Sequence, residues 1–494
     1  MHIFIQLLCF RVNQKIIHKH YTTMKNFKQK LFLTLFFLPT LMFAQQTQRF
    51  VGPWMGKLSV GAVQVRLGIN LSVDKGGLIT ALLDSPDQNA YGIKTDTTII
   101  SGDNITIKVK KLMASYEGTI VQGDSLINGK WTQGGQTFDL NLKKMLAPVV
   151  LKRPQEPKPP FPYKSEEITF LNEKANIELA GTLTIPEGKG PFPAVVMVTG
   201  SGQQNRDEAL MGHKPFLVIA DYLTRNGIAV LRYDDRGTAK SKGVFATSTT
   251  FDFADDAEAG LTWLKKQPLI DQKHVGIAGH SEGGLIAPIV ASRNKNVNFI
   301  ILIAGPGING EDIIMAQSEI ISQKSGINAD EIKNSLTLNK ALFDIVKKEP
   351  DNEKAKEACR KLMIEAINND KSLSDDVKKA QIKSVDSKID PIISPWFRAF
   401  LVIEPKDYLT KTKCPVLALN GTKDVQVPYK EDLEAIDKYL KLAGNKNYTI
   451  RKIEGVNHLF QHADTGLPTE YGNIEETFAP EALKAMSDFI LKLK

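Results

Sequence analysis

Val275-Gly276-Ile277-Ala278-Gly279-His280-Ser281-Glu282-Gly283-Gly284-Leu285-Ile286 is the stretch on which the reading of this chain turns. Its first four residues read as a buried strand, and Leu285, Ile286, Ile289 and Val290 follow at helical spacing. A strand that runs into G-x-S-x-G and then a helix is the pattern of a nucleophile elbow, a strained turn that presents a serine hydroxyl. The pentapeptide alone fits an ordinary glycine turn equally well. Serine is a poor nucleophile without a neutral histidine to take its proton and an acid to orient that histidine. In a sheet enzyme those partners belong at the carboxyl ends of later strands.

Two later segments meet that requirement. The apolar run Val416 to Leu419 leads into Asn420-Gly421-Thr422-Lys423-Asp424, and Tyr448 to Ile453 leads into Glu454-Gly455-Val456-Asn457-His458. The chain order is therefore Ser281, Asp424, His458, with each residue just past a strand end. Further apolar runs occur at Ile168 to Leu171, Leu179 to Leu183, Ala194 to Val198, Ile228 to Leu231 and Phe299 to Ala304. Helical periodicity fills several of the gaps, at Phe216 to Leu223, Phe253 to Leu264 and Leu433 to Leu442. Strands alternating with helices imply a mostly parallel sheet covered on both faces, here of eight strands opened by a hairpin.

Between Gly307 and Lys413 lie about a hundred residues rich in Lys, Glu, Asp, Ile and Leu at helical spacing. A structureless loop of that length is improbable in a compact domain, so the stretch at about 308–413 is expected to be a helical cap. Its apolar end, including Trp396 and Phe397, is read as cap core, with a place in the substrate pocket as the alternative.

The N-terminal third has a different rhythm. Val65, Leu67, Ile69 and Leu71 alternate with polar residues, as do Ile105, Ile107 and Val109 and later Phe138, Leu140 and Leu142, with turn clusters between them. Residues 45–146 therefore form a small antiparallel β domain, barrel or sandwich, read as structural or positioning in role, with ligand binding as the alternative. Six prolines between Pro148 and Pro162 mark 147–163 as a semi-rigid linker, leaving 164–494 as the second domain.

The 494 residues carry a formal charge of +8, but Arg11, Lys15, Lys19, Lys25, Lys28 and Lys30 all precede position 45. Without them 57 basic residues face 55 acidic ones, which argues against a nucleic-acid partner and against electrostatic membrane docking. From Met24 a basic start, the 13-residue apolar run Leu31 to Phe43 and Ala44 read as a signal peptide, so residues 1–44 are extension plus signal and the mature protein is exported. The run is shorter than the ~20 residues a spanning helix needs, so no stable membrane insertion is expected. Cys9, Cys359 and Cys414 provide no disulfide framework and no C-x-x-C metal pattern.

From about residue 165 onward the chain resembles the α/β-hydrolase superfamily, in particular its bacterial carboxylesterases and related serine hydrolases. The resemblance rests on Tyr233-Asp234-Asp235-Arg236-Gly237-Thr238-Ala239-Lys240-Ser241, Gly279 to Gly284, Asn420 to Asp424 and Gly455 to His458. It implies Ser281 as nucleophile, His458 as general base and then acid, and Asp424 as the orienting acid, with no metal and no organic cofactor. The oxyanion would be held by the backbone N–H of Glu282 and by one from Thr199-Gly200-Ser201-Gly202, where many family members carry His-Gly. Ser201 is the donor chosen because Gly200 matches that glycine. Gly202 and Gln203, with the polar run to Glu208, are expected at the pocket mouth.

The implied substrate is a small ester. A short peptide cleaved on the same triad is the alternative, thioester hydrolysis or acyl transfer stays open, and a non-catalytic binding protein on a hydrolase scaffold is the third reading. His462 competes with His458, and His458, His462 and Asp464 could be drawn as a metal site, although no further ligand cluster accompanies them. His280 is expected to face away from the reacting centre, and Asp234, Asp235 and Arg236 to form a structural loop network.

Overall fold

The computed structural model describes residues 47–493 apart from 61–62, 75–77, 87–89, 122, 147–151 and 372. The signal-peptide reading and Cys9 lie outside the described residues. The chain folds as two units, with the division between them at residues 150–151.

In the first unit ten strands, from Gly52–Val60 to Leu142–Lys144, form one antiparallel sheet. Alternation is what closes its core. Ile105, Ile107 and Val109 point inward from one strand, and they join Trp54, Tyr116 and Trp131 in a single apolar cluster. Tyr116 and Trp131 are direct cross-strand partners, which places two large rings side by side in that core.

The second unit is built on β1 (Lys164–Asn172), β2 (Ile177–Ile185), β3 (Phe192–Val198), β4 (Ala229–Tyr233), β5 (Ile270–His280), β6 (Ile300–Ile303), β7 (Val416–Gly421) and β8 (Tyr448–Ile453). They lie in the order β1-β2-β4-β3-β5-β6-β7-β8. β1 pairs antiparallel with β2 and β2 with β4, and every pair from β4 through β8 is parallel. Val195 to Val198 of β3 and all of β6 are apolar at every position because both faces of the sheet are buried there. Val196, Ile300, Leu302 and Val416 belong to one core cluster, while their neighbours Val195, Ile301, Ile303 and Leu417 belong to another on the opposite face.

Helices α1 (Pro215–Arg225), α2 (Thr250–Leu264) and α3 (Glu282–Arg293) follow β3, β4 and β5. Between β6 and β7 the chain leaves the sheet for seven helices, α4 (Gly310–Lys324), α5 (Ala329–Lys348), α6 (Asn352–Asn369), α7 (Asp375–Lys383), α8 (Val385–Ile392), α9 (Pro395–Val402) and α10 (Lys406–Leu409). Five of these, α4 to α7 and α9, begin at an Asn, Asp or Ser whose side chain accepts a first-turn backbone N–H, the local chemistry that starts a helix. α11 (Tyr429–Leu442) and α12 (Pro480–Lys492) complete the domain. Among the described residues no helix is long and apolar enough to cross a membrane.

The proline-rich stretch is fastened to this domain at Arg153 and Gln155. Arg153 donates to the carbonyls of Met211, Gly212, Gly472 and Ile474. The Gln155 side-chain carbonyl accepts the N–H groups of Thr477 and Phe478. The strap therefore holds the segment that follows His458.

Candidate active site

β5 ends at His280, and α3 begins at Glu282. Ser281 between them has φ 52° and ψ −117°, a left-handed conformation that costs a side chain on the order of 1–3 kcal/mol. Its N–H donates to the Ile303 carbonyl at 2.8 Å, which fixes the turn to β6. The flanking glycines are steric necessities. A Cβ on Gly279 would lie 1.9 Å from the Gly283 carbonyl oxygen, and one on Gly283 would lie 2.2 Å from that of Val198. The Ser281 side chain does not cap the helix that follows. Glu282 supplies the first of the backbone N–H groups that a helix leaves without an internal acceptor.

Asp424 and His458 meet from neighbouring strand ends, past β7 and β8. His458 Nδ1 donates to Asp424 Oδ2 at 2.8 Å, with both side chains almost fully buried. The other oxygen, Oδ1, accepts the N–H groups of Gln426 and Val427 at 2.8 and 2.9 Å. This arrangement dictates the tautomer, since a neutral imidazole that donates from Nδ1 has its lone pair at Nε2. The His458 loop is held by Asn457, whose side-chain carbonyl accepts from Leu459 and Gln461.

The loop after β3 folds over the elbow. A Cβ on Gly200 would lie 3.1 Å from that of Ser281. Asp235, just past β4, holds this loop by accepting the Thr199 hydroxyl at 2.7 Å and the Gln204 N–H at 2.9 Å. Burial pushes the Asp235 carboxyl well above its ordinary range despite those two bonds. The Gly200 N–H is taken by Glu208 Oε1 at 2.9 Å, which leaves Ser201 as the next backbone donor in the loop. A small cavity, with room for about one water, lies between this loop and α3, with Gly200, Gly202, Asp235, Phe245, Phe253 and Glu282 among its lining. Gln203 does not line it. Its exposed amide donates to the Gly237 carbonyl and anchors the loop.

Trp396 and Phe397 part company. Phe397 is 1% exposed and packs against Phe343, so it belongs to the core of the helical insertion. Trp396 reaches the elbow, and its indole N–H donates to Glu282 Oε1 at 2.8 Å alongside the Thr250 hydroxyl at 2.6 Å. Burial raises the Glu282 carboxyl above its ordinary range, and the two donors offset only part of that effect. Asp234 and Arg236 pair with Arg206 and Asp256 respectively, in the loop network expected of them.

His462 lies apart from the His458–Asp424 pair, and its two ring nitrogens contact Glu476 and Glu481. His280 does not face away as expected. Its ring packs 4.8 Å from that of His458, with Nδ1 2.9 Å from Glu208 Oε1 and Nε2 2.9 Å from the His458 carbonyl. Neither this contact nor the Glu282–Trp396 bond has a local sequence signal. Glu208 is 72 residues from His280, and Trp396 is 114 from Glu282.

A parallel sheet of this order, with a serine elbow and a buried His–Asp pair at its carboxyl edge, defines a serine hydrolase of the α/β-hydrolase type. Residues 176–463 match the model of the X-Pro dipeptidyl-peptidase family, S15. The match takes in more than half of the chain, and the chain belongs to that family. Esterase EstD of Thermotoga maritima is 27% identical over 313 residues, 62% of this chain and 65% of EstD, so the match spans slightly under two-thirds of that relative. Acyl-coenzyme A thioesterase 3 of Mus musculus is 26% identical over 167 residues, 33% of this chain and 35% of the thioesterase. Among solved structures, the esterase Pf2001 of Pyrococcus furiosus aligns with a TM-score of 0.41 at 16% identity, over 70% of this chain and 98% of that one.

Proposed function

We propose that the chain is an exported carboxylesterase acting on small esters. The observation that carries this reading is the His458–Asp424 bond beside the Ser281 elbow, because it leaves a neutral Nε2 as the proton acceptor. Ser281 Oγ attacks the ester carbonyl while His458 takes its proton, and Asp424 stabilises the imidazolium that forms. The backbone N–H groups of Glu282 and Ser201 hold the oxyanion. Collapse of the tetrahedral intermediate expels the alcohol, which receives its proton from His458. Water, activated by the same histidine, then releases the acid. The helical insertion acts as a cap, with Trp396 as its contact to the elbow. Similarity to EstD supports an ester over other acyl groups.

A second reading, amide cleavage, is favoured by one observation, the match of residues 176–463 to the X-Pro dipeptidyl-peptidase family. Turnover of p-nitrophenyl acetate and butyrate, compared with aminoacyl p-nitroanilides, separates the two. Wild-type hydrolysis of the esters, lost in Ser281→Ala, is the expected result, and equal rates in both proteins would reject the catalytic reading. N-terminal sequencing of protein recovered outside the cytoplasm, expected to begin near Gln45, tests export.

A further inference from the structure

We propose that His280 is a positioning residue held as a doubly protonated imidazolium, which ties the loop bearing the oxyanion donor to the loop bearing the base. The proposal rests on the hydrolase reading for its kinetic consequence but not for the protonation state itself.

The argument begins with donors and acceptors. His280 Nε2 faces the His458 carbonyl, which can only accept, so that nitrogen carries a proton. Nδ1 faces Glu208 Oε1 at 2.9 Å, and the same oxygen already accepts the Gly200 N–H at 2.9 Å. One proton is shared between Nδ1 and that carboxyl. Imidazole is the stronger base of the two, so the proton resides on the ring and both nitrogens donate.

The surroundings agree. The pair is sealed from water, with side-chain exposures of 8% for His280 and 3% for Glu208. The groups that face His280 are Glu208 from the loop after β3, the carbonyl and the ring of His458 from the loop after β8, the latter packed 4.8 Å away, and Asp424 from the loop after β7. Burial alone would lower its proton affinity. The Glu208 carboxylate, the His458 carbonyl and the more distant Asp424 outweigh it, and the net shift is upward.

Three backbone segments thus converge on one ring at the end of the nucleophile strand. Glu208 fixes Gly200 next to Ser281, and His280 fixes the carbonyl of the base. Loss of the ring would free both loops by the fraction of an ångström to which oxyanion stabilisation is sensitive.

The test uses full-length protein labelled at histidine nitrogen, with the His280 signals assigned by difference against His280→Gln. Both His280 nitrogens are expected to carry protons at about pH 8, where an unperturbed histidine is neutral. In Glu208→Gln that signature is expected to be lost by the same pH. Kinetically, His280→Gln is expected to lower kcat on p-nitrophenyl esters by about 10- to 100-fold with KM changed less than about threefold. A neutral His280 at pH 8 in the wild type would overturn the proposal, as would a folded His280→Gln enzyme with unaltered kcat. Should His280→Gln not fold, Glu208→Gln supplies the assignment and the decision. Failure of the hydrolase reading appears separately, as Ser281→Ala activity equal to wild type.

Discussion

Asp424→Asn isolates the step on which the proposed chemistry depends. An asparagine has one acceptor and one donor end, and the surrounding backbone chooses between the two orientations. Gln426 and Val427 both aim N–H groups at Oδ1, so the amide oxygen must sit there. The reverse orientation would set an NH2 group against two buried donors and leave each N–H unsatisfied, at about 1–3 kcal/mol apiece. The NH2 group is therefore forced toward His458 Nδ1, where the carboxylate oxygen now accepts at 2.8 Å. His458 must then adopt the tautomer protonated on Nε2, which cannot take the Ser281 proton as the proposed mechanism requires. The expected loss in kcat is about ten-thousandfold, on the order of 5 kcal/mol of barrier, with the fold retained. Steady-state rates on p-nitrophenyl butyrate, with circular dichroism as the check on folding, provide the measurement. A folded Asp424→Asn enzyme within about tenfold of wild-type kcat would refute the reasoning.

Other perturbations follow from the same geometry. Gly279→Ala puts a methyl 1.9 Å from the Gly283 carbonyl oxygen and is expected to cost about 3 kcal/mol by overpacking, read as a lowered denaturation midpoint; an unchanged midpoint would count against the elbow geometry. Trp396→Phe removes one of the two donors to Glu282 Oε1 and is expected to cost about 1 kcal/mol in urea unfolding, with KM affected more than kcat. Asp432, fully buried at the start of α11, accepts the Gly307 and Ile308 N–H groups on Oδ1, while Oδ2 has no partner among the described residues. Burial raises its pKa to about 7, so the folded state holds a proton that the unfolded chain releases near pH 4. Stability from this group is therefore full below about pH 4 and declines by about 4 kcal/mol as pH rises to 7. Asp432→Asn keeps the acceptor and cannot ionise, so unfolding measured between pH 5 and 8 should show it gaining on the wild type as pH rises.

The elbow, the eight strands and the order Ser281, Asp424, His458 are legible in the sequence because each is a local pattern. A strand buried on both faces must be apolar throughout, as Val195 to Val198 and Ile300 to Ile303 are, and the side chains then divide between two cores. Glycine flanks Ser281 because backbone from neighbouring segments passes within a Cβ's reach. Only the tertiary structure decided what surrounds that serine. Glu208 reads as one more polar loop residue, yet its single buried oxygen joins Gly200 to His280. Trp396 and Phe397 are adjacent and alike in composition, and the turn of α9 sends one to Glu282 and the other into the core of the insertion. Periodicity reports which face of an element is buried but carries no record of what lies across the gap. The bonds that tie His280 to Glu208 and to the His458 carbonyl join residues 72 and 178 positions apart, and they exist only once the sheet is assembled.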